Sequence, residues 1–173
     1  MKKFITKSYK QTQELGKKMA QEILNCRFAK MTRSCHFSEI VLCLYGDLGS
    51  GKTTFLQGFA KGLGVKEKIL SPTFVILKRF KITKSQIPNS KIQTNPKFQI
   101  PKSNFTNFYH IDAYRLRNYK DAEVLGLKEI FKNPKNIVAI EWPEKIKKIL
   151  PKNAVKIKFK FILKNERSIG VCI

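Results

Sequence analysis

Apolar and polar positions along the chain predict alternating helices and strands. Residues 8–28 carry apolar side chains three and four positions apart, opposite lysines and a glutamate, which predicts an amphipathic helix with Ser8 as its N-cap. Two short apolar runs, Ile40–Leu44 and Asn136–Glu141, have the length and composition of buried strands. Between them, residues 54–63 return to helical spacing and end near glycines, where we expect the helix to stop.

The remaining patterns predict shorter elements. Ser71-Pro72 favours an extended turn before an apolar strand at 74–77, and a second strand is expected at 105–112. A short helical element capped by Asp121 follows, and another helix is expected at Glu144–Leu150 after Pro143. Residues 155–161 alternate apolar and lysine, which predicts an antiparallel or edge strand closed by a C-terminal hairpin.

One segment interrupts these patterns. Residues 81–104 are polar, rich in lysine and punctuated by three prolines, and we expect a long flexible insertion or an extended hairpin between two strands. The chain has 173 residues, which is the size of about one domain, so residues 1–173 are interpreted as a single domain carrying this insertion.

The stretch Gly46–Thr53 fits G-x-x-x-x-G-K-[ST], the phosphate-binding loop, between a predicted strand and a predicted helix. Its glycines let consecutive backbone N–H groups approach phosphate oxygens, and the N-terminus of the helix adds its positive dipole end. Lys52 would reach the β- and γ-phosphates of a nucleotide, and the Thr53 hydroxyl would bind Mg²⁺. The sequence therefore predicts a nucleotide-binding site.

Two carboxylates stand where parallel strands end. Glu141 closes the buried run 136–141 in the manner of a Walker B acid, and Asp112 closes the strand at 105–112. His110 would share a strand face with Asp112, and a structural role is favoured for it. Trp142 follows Glu141, either as a core side chain or as a cover over the site, with the core as the default.

Composition adds a charge of +23, almost all of it from lysine. Such a balance suits RNA contact, yet a merely solvated basic surface is favoured, because arginine, the residue preferred for phosphate and base contacts, is scarce. The four cysteines have no disulfide-framework spacing, and Cys43 lies in a predicted buried strand, which suits a reduced cytoplasmic protein. A metal site at Cys26, Cys35 and His36 is disfavoured. We expect neither a secretory signal nor a membrane span.

Four motifs together carry a resemblance: GDLGSGKTTF at 46–55, SPTF at 71–74, HIDAYRL at 110–116 and EWPEK at 141–145. In this order they resemble the bacterial TsaE (YjeE) family, the small ATPases of tRNA threonylcarbamoyladenosine synthesis. The resemblance implies a three-layer α/β fold of the P-loop NTPase type, with a mostly parallel sheet between helices and an antiparallel C-terminal hairpin. It also implies that the protein uses ATP and Mg²⁺ and acts with TsaD and TsaB. These partners transfer the threonylcarbamoyl group to position 37 of ANN-decoding tRNAs, and the ATPase supports their turnover.

The resemblance also implies residue roles. Mg²⁺ would be held at Thr53 and Glu141, Asp112 would be the catalytic acid that orients or activates water, and Thr73 would act as a switch-like residue. From the residues alone, Asp112 could instead contact the metal's water shell. Residues 4–12 and Arg167 are the candidates for adenine contact. The phosphate loop would comprise Gly46, Asp47, Leu48, Gly49, Ser50, Gly51, Lys52, Thr53 and Thr54.

Two other functions share parts of this pattern. A small-molecule kinase would use the same loop, but the chain lacks a lid segment with clustered arginines. A nucleotide-gated RNA-binding module with negligible turnover would use the basic surface, and its tRNA affinity would depend steeply on salt. A GTPase is disfavoured because an N-K-x-D motif is absent from the sequence.

Overall fold

The computed structural model of the protein describes residues 2–24, 40–70, 75–83 and 104–172. Strands and helices alternate through the central part of the chain. The strands are β1 (Lys2–Thr6), β2 (Ile40–Tyr45), β3 (Leu77–Lys81), β4 (Asn107–Asp112), β5 (Asn136–Glu141), β6 (Val155–Leu163) and β7 (Glu166–Cys172). The helices are α1 (Tyr9–Leu24), α2 (Lys52–Gly62), α3 (Tyr119–Val124), α4 (Leu127–Lys132) and a 3₁₀ segment (Pro143–Ile149).

The described strands form one sheet in the order β1-β7-β6-β2-β5-β4-β3. The four central strands β6, β2, β5 and β4 are parallel, whereas β7, β1 and β3 add antiparallel strands at the two sides. The predicted hairpin is confirmed as β6 and β7. Residues 155–161 were predicted as an antiparallel or edge strand, and the first alternative is confirmed, because β6 pairs antiparallel with β7. It is not an edge strand, since it also pairs with β2, and the unpredicted β1 forms that edge.

Helices cover both faces of the sheet, which gives the three layers. Leu42 and Leu44 of β2 point to the face where α1 and α2 pack, and Val41 and Cys43 point to the face that α3, α4 and the 3₁₀ segment cover. This alternation follows from the period of two along a strand. Since β2 and β5 are buried on both faces, their sequences are continuous apolar runs, as predicted.

Glycine allows α1 and α2 to pack at very short range. A Cβ atom at Gly58 of α2 would lie 1.8 Å from the carbonyl oxygen of Gln13, and one at Gly16 of α1 would lie 2.2 Å from the carbonyl oxygen of Phe55. Both distances are far below van der Waals contact. The helix that begins with the phosphate-loop lysine is thereby fixed against α1.

Local capping confirms some boundaries and changes others. Ser8 caps α1, because its Oγ accepts a hydrogen bond from the backbone N–H of Gln11 at 3.2 Å. Asp121 was predicted to cap α3, and this prediction was wrong. The cap is Asn118, whose Oδ1 accepts a hydrogen bond from the backbone N–H of Lys120. The helix predicted at 144–150 is instead the 3₁₀ segment, with Pro143 in its first turn.

The strand predicted at 74–77 begins only at Leu77. Ile76 has φ 62°, in the left-handed region, so extended backbone cannot continue through it. Several predicted features lie outside the described residues: Thr73 and the rest of SPTF, Cys26, Cys35, His36 and residues 84–103 of the insertion. Among the described helices, none is long and apolar enough to cross a membrane.

Candidate active site

The phosphate loop joins the end of β2 to the start of α2, and its glycines are required by its backbone. Gly46 and Gly51 have φ values of 141° and 102°, which L side chains rarely adopt. A Cβ atom at Gly46 would also lie 2.6 Å from the carbonyl oxygen of Phe159 in β6. The sequence pattern and the loop conformation therefore agree at these two positions.

Lys52 is the first residue of α2 and is 5% exposed. Its Nζ donates hydrogen bonds to the carbonyl oxygens of Gly46 at 2.6 Å and Asp47 at 2.9 Å. Burial lowers the pKa of Lys52, and the nearby carboxylates, Glu141 first, oppose that shift. An ammonium held by two neutral carbonyls, rather than by a carboxylate, remains available to an anionic ligand.

The hydroxyl of Thr53 meets the acid at the end of β5. Thr53 Oγ1 lies 3.0 Å from Oε1 and 3.3 Å from Oε2 of Glu141, which is 3% exposed. The parallel pairing of β4 with β5 places Asp112 opposite Glu141. The Asp112 carboxylate is 4% exposed, and its Oδ1 accepts from the backbone N–H of Tyr114 at 3.0 Å.

These groups line one cavity of about 500 Å³ beside the phosphate loop. Two aromatic side chains border it: the Trp142 ring lies 5.2 Å from the Tyr114 ring and 4.3 Å from Lys52 Nζ, both measured to the Trp142 centroid. The lining residues are Leu48, Gly49, Gly51, Lys52, Thr53, Thr54, Asp112, Tyr114, Glu141 and Trp142. The half-buried Trp142 side chain both packs against a core cluster, as the default interpretation expected, and lines the cavity.

The backbone of Trp142 leaves the strand conformation directly after β5. Its φ of 59° is unusual for a residue with a side chain, and it occurs directly after the last residue of β5. A regular extension of the strand would alternate the ring to the opposite face of the sheet from Glu141. Trp142 does pack against the core cluster of that opposite face, and its position at the end of β5 lets the ring border the cavity as well.

The two groups of candidate adenine contacts meet near the loop. Thr6 of β1 pairs with Arg167 of β7, and the Thr6 hydroxyl lies 2.8 Å from that of Thr12. The Arg167 Cδ lies 3.4 Å from the position of a Cβ atom on Gly51. Arg167 thus borders the phosphate loop outside the cavity lining, where its guanidinium donates to the carbonyl oxygen of Lys164 at 3.3 Å.

Sequence reasoning missed two participants. Tyr114 received no role, although its position two residues after a strand-end carboxylate places it at the same sheet edge; its side chain is 55% exposed. His110 was assigned a structural role, but its Nε2 lies 2.9 Å from Glu141 Oε1. The sequence did indicate that His110 and Asp112 share one face of a strand. The contact of His110 with Glu141 could not be predicted without knowing that β4 lies beside β5.

Few side chains at the site could bind a metal ion. Thr53 and Glu141 offer a hydroxyl and a carboxylate, with Asp112 at the neighbouring strand end. Across the described ranges, no group of three or more His, Cys, Asp or Glu side chains could hold a metal by itself. The hydroxyl of Thr53 and the carboxylates of Glu141 and Asp112 fit Mg²⁺, which commonly uses one or two carboxylates together with phosphates and water.

Comparisons with known proteins agree with this geometry. The family described as "Threonylcarbamoyl adenosine biosynthesis protein TsaE" matches residues 6–169. Proteins named tRNA threonylcarbamoyladenosine biosynthesis protein TsaE include one from Bacillus subtilis strain 168, 34% identical over 82% of this chain and 74% of its own. One from Rickettsia prowazekii is 33% identical over 81% and 82% of the two chains. The crystal structure of Bacillus subtilis YdiB superposes with a TM-score of 0.60 at 29% identity, covering 97% of this chain and 82% of that one.

Proposed function

The chain belongs to the TsaE family of tRNA threonylcarbamoyladenosine biosynthesis proteins, and from this premise we propose that it is an ATPase that binds and hydrolyses ATP with Mg²⁺ at the phosphate-loop cavity. The convergence of Lys52, Thr53, Glu141 and Asp112 on that cavity is the observation that carries the proposal. A cation, a metal-binding pair and a separate acid are the groups that phosphoryl transfer to water requires.

The loop and Lys52 bind the triphosphate. Backbone N–H groups of residues 46–54 and the N-terminus of α2 receive phosphate oxygens. Lys52 exchanges its hydrogen bonds with the carbonyls of Gly46 and Asp47 for the β- and γ-phosphates. The ammonium carries its charge in both sets of contacts, and the exchange replaces neutral carbonyl acceptors with anionic phosphate oxygens, which attract the cation more strongly.

Thr53 and Glu141 would hold Mg²⁺, Thr53 by its hydroxyl and Glu141 by its carboxylate. When bound, the ion neutralises charge that develops on the phosphates. Asp112 either orients and activates the attacking water or accepts a hydrogen bond from water around the metal. Its contact with the N–H of Tyr114 fixes the carboxylate at the strand end for both roles.

The hydrolysis is proposed to support turnover of a TsaD–TsaB complex that itself performs the threonylcarbamoyl transfer. Exposed apolar side chains at the site favour a protein partner there: Leu48 is 90% exposed in the loop, and Phe161 is 59% exposed in the hairpin that packs beside it. Such residues at a cavity rim are typical of interaction surfaces. A cytoplasmic location is proposed as well, consistent with the free, buried thiol of Cys43.

ATP turnover in the presence and absence of TsaD and TsaB tests the proposal. Lys52→Ala should abolish nucleotide binding, and Asp112→Asn should retain binding while turnover falls by about 10²-fold or more. Lys61→Ala, an exposed lysine of the same helix, is the matched control and should behave as wild type. Turnover by Lys52→Ala equal to wild type would refute the assignment of the site.

We also propose tRNA contact through one face of β6. Lys156, Lys158 and Lys160 are exposed on alternate positions, roughly 7 Å apart, opposite the smaller side chains of β7. In the described part of the chain, none of the three lysines forms an ion pair. A regular row of unpaired cations suits a phosphate backbone.

The matched experiment compares two triple variants of equal charge. Changing Lys156, Lys158 and Lys160 to Gln should reduce the slope of log affinity for tRNA against log salt by about two, because each phosphate contact contributes roughly 0.7–0.9. The control changes three exposed lysines that lie outside β6: Lys120, Lys132 and Lys135. If the slope fell equally in both variants, net charge alone would explain the change, and the assignment of tRNA contact to this face of β6 would be refuted.

A further inference from the structure

His110 lies beneath the candidate metal-binding pair and is fully buried, with 0% exposure. On β4 it precedes Asp112 by two residues, so both side chains point to the face on which α2 packs. The parallel register pairs His110 with Ala139 and Asp112 with Glu141. His110 is therefore diagonal to Glu141, one layer further into the core than the acids that line the cavity.

The imidazole contacts the carboxylate directly. His110 Nε2 lies 2.9 Å from Glu141 Oε1. The donor in this contact depends on the tautomer of His110, and in the tautomer with its proton on Nε2 the ring donates to the Glu141 carboxylate. Thr53 Oγ1 approaches the same carboxylate from α2 at 3.0 Å. Glu141 is thus held from two directions, by β4 below and by the helix of the phosphate loop above.

A packing role alone does not account for histidine at this position. Within the described residues, the other ring nitrogen, Nδ1, is buried without a hydrogen-bond partner. Leaving a buried polar atom unpaired costs about 1–3 kcal/mol, a cost that an apolar side chain of similar size would avoid. The contact from Nε2 to Glu141 is the interaction that an apolar residue could not make.

We propose that His110 is a positioning residue: its N–H fixes the orientation of the Glu141 carboxylate toward the Mg²⁺ that accompanies the nucleotide. The inference rests on the proposed function. A Thr53 hydroxyl that held the ion through an oxygen lone pair would keep its proton for Glu141, so the Thr53 O–H and the His110 N–H would together fix that carboxylate. Mg²⁺ requires near-ideal octahedral geometry, so the direction of the carboxylate affects affinity. Loss of hydrogen bonds that orient metal ligands typically costs about 10- to 100-fold in metal affinity.

Three variants separate positioning from packing. His110→Gln retains an N–H donor near the position of Nε2, because the glutamine amide nitrogen reaches as far as that ring atom. His110→Asn keeps a polar amide but is too short to donate to Glu141. His110→Phe preserves the ring volume and removes the donor. Thermal unfolding of each purified variant identifies any that fails to fold, and the Gln and Asn pair decides the question if Phe does not fold.

The readouts are binding measurements on the whole protein. Electron paramagnetic resonance measures Mn²⁺ bound in the presence of AMP-PNP, and calorimetry measures AMP-PNP affinity with EDTA. We expect His110→Phe and His110→Asn to weaken Mn²⁺ binding about 10- to 100-fold, with metal-free AMP-PNP affinity within about twofold of wild type, and His110→Gln to recover most of the loss.

Any of three results would overturn the inference. The first is unchanged Mn²⁺ affinity in folded His110→Asn and His110→Phe, and the second is Mn²⁺ affinity in folded His110→Gln as weak as in His110→Asn. Equal weakening of metal-dependent and metal-free binding would likewise assign His110 to structure alone. If wild type itself bound neither AMP-PNP nor Mn²⁺ with AMP-PNP, the proposed ATPase function would fail first. The two failures are therefore distinguishable.

Discussion

Gly58→Ala tests the close packing of α1 on α2, the helix that carries Lys52 and Thr53. The added methyl group would lie 1.8 Å from the carbonyl oxygen and 2.5 Å from the carbonyl carbon of Gln13. These are backbone atoms, so no side-chain rotation relieves the overlap. The helices must separate locally by roughly 1.5 Å, and a gap of even 0.5–1 Å forfeits a quarter to a half of each dispersion contact.

Two opposing terms determine the magnitude. Overpacking of a core costs about 1–3 kcal/mol, and backbone overlap belongs at the upper end of that range. Replacing glycine by alanine inside a helix returns up to about 1 kcal/mol. We therefore expect Gly58→Ala to lower the free energy of unfolding by about 2 kcal/mol, which for a chain of this size lowers Tm by about 4–8 °C.

Urea unfolding followed by circular dichroism measures this change, with Lys61→Ala on the exposed side of α2 as a control expected within about 0.5 kcal/mol of wild type. Gln13→Ala removes the hydrogen bond from Gln13 Nε2 to Gln57 Oε1 but leaves the overlapping backbone in place. Gly58→Ala should consequently remain destabilising when Gln13 is alanine. A Gly58→Ala protein as stable as wild type, or rescue by Gln13→Ala, would refute the reasoning.

Three further predictions concern pH, fluorescence and capping. Burial raises the pKa of the Cys43 thiol to about 12, so above pH 9 the unfolded chain loses that proton first and stability falls. Urea titrations should therefore show that the free energy of unfolding of wild type, relative to that of Cys43→Ala, falls by about 1.4 kcal/mol per pH unit above pH 9. A difference that stays constant with pH would contradict the burial of the thiol. Trp142 is the only tryptophan, and Lys52 Nζ lies over its ring, so AMP-PNP binding should change the tryptophan emission spectrum as Lys52 moves to the phosphates. If calorimetry detects binding while the emission is unchanged, the Trp142 ring does not contact the nucleotide site. Asn118→Ala should cost about 1 kcal/mol in the same urea assay, and no cost would argue against its capping role.

Much of the fold and of the site could be predicted from the sequence because local rules determine them. The phosphate loop requires glycine where φ is positive, and buried parallel strands require continuous apolar runs, so Gly46 and residues 136–141 were interpretable without coordinates. The acids Asp112 and Glu141 could be expected near each other, since carboxyl ends of parallel strands meet at one edge.

The rest depends on long-range pairing that local patterns do not contain. Residues 2–6 are short and mostly exposed, and they form β1 only because β7 offers a pairing edge. The contact of His110 with Glu141 depends on β4 lying beside β5. Asp121 resembles a cap by composition, but Asn118, three residues earlier, accepts the hydrogen bond.

The threonylcarbamoyladenosine content of cellular tRNA, measured after depletion of this protein, tests the central claim most directly. Rescue is attempted with wild type, with Lys52→Ala and with the control Lys61→Ala. The account predicts that the modification is lost on depletion and restored by wild type and Lys61→Ala, but not by Lys52→Ala, because the site must bind ATP. Full restoration by Lys52→Ala, or unchanged modification after depletion, would contradict it.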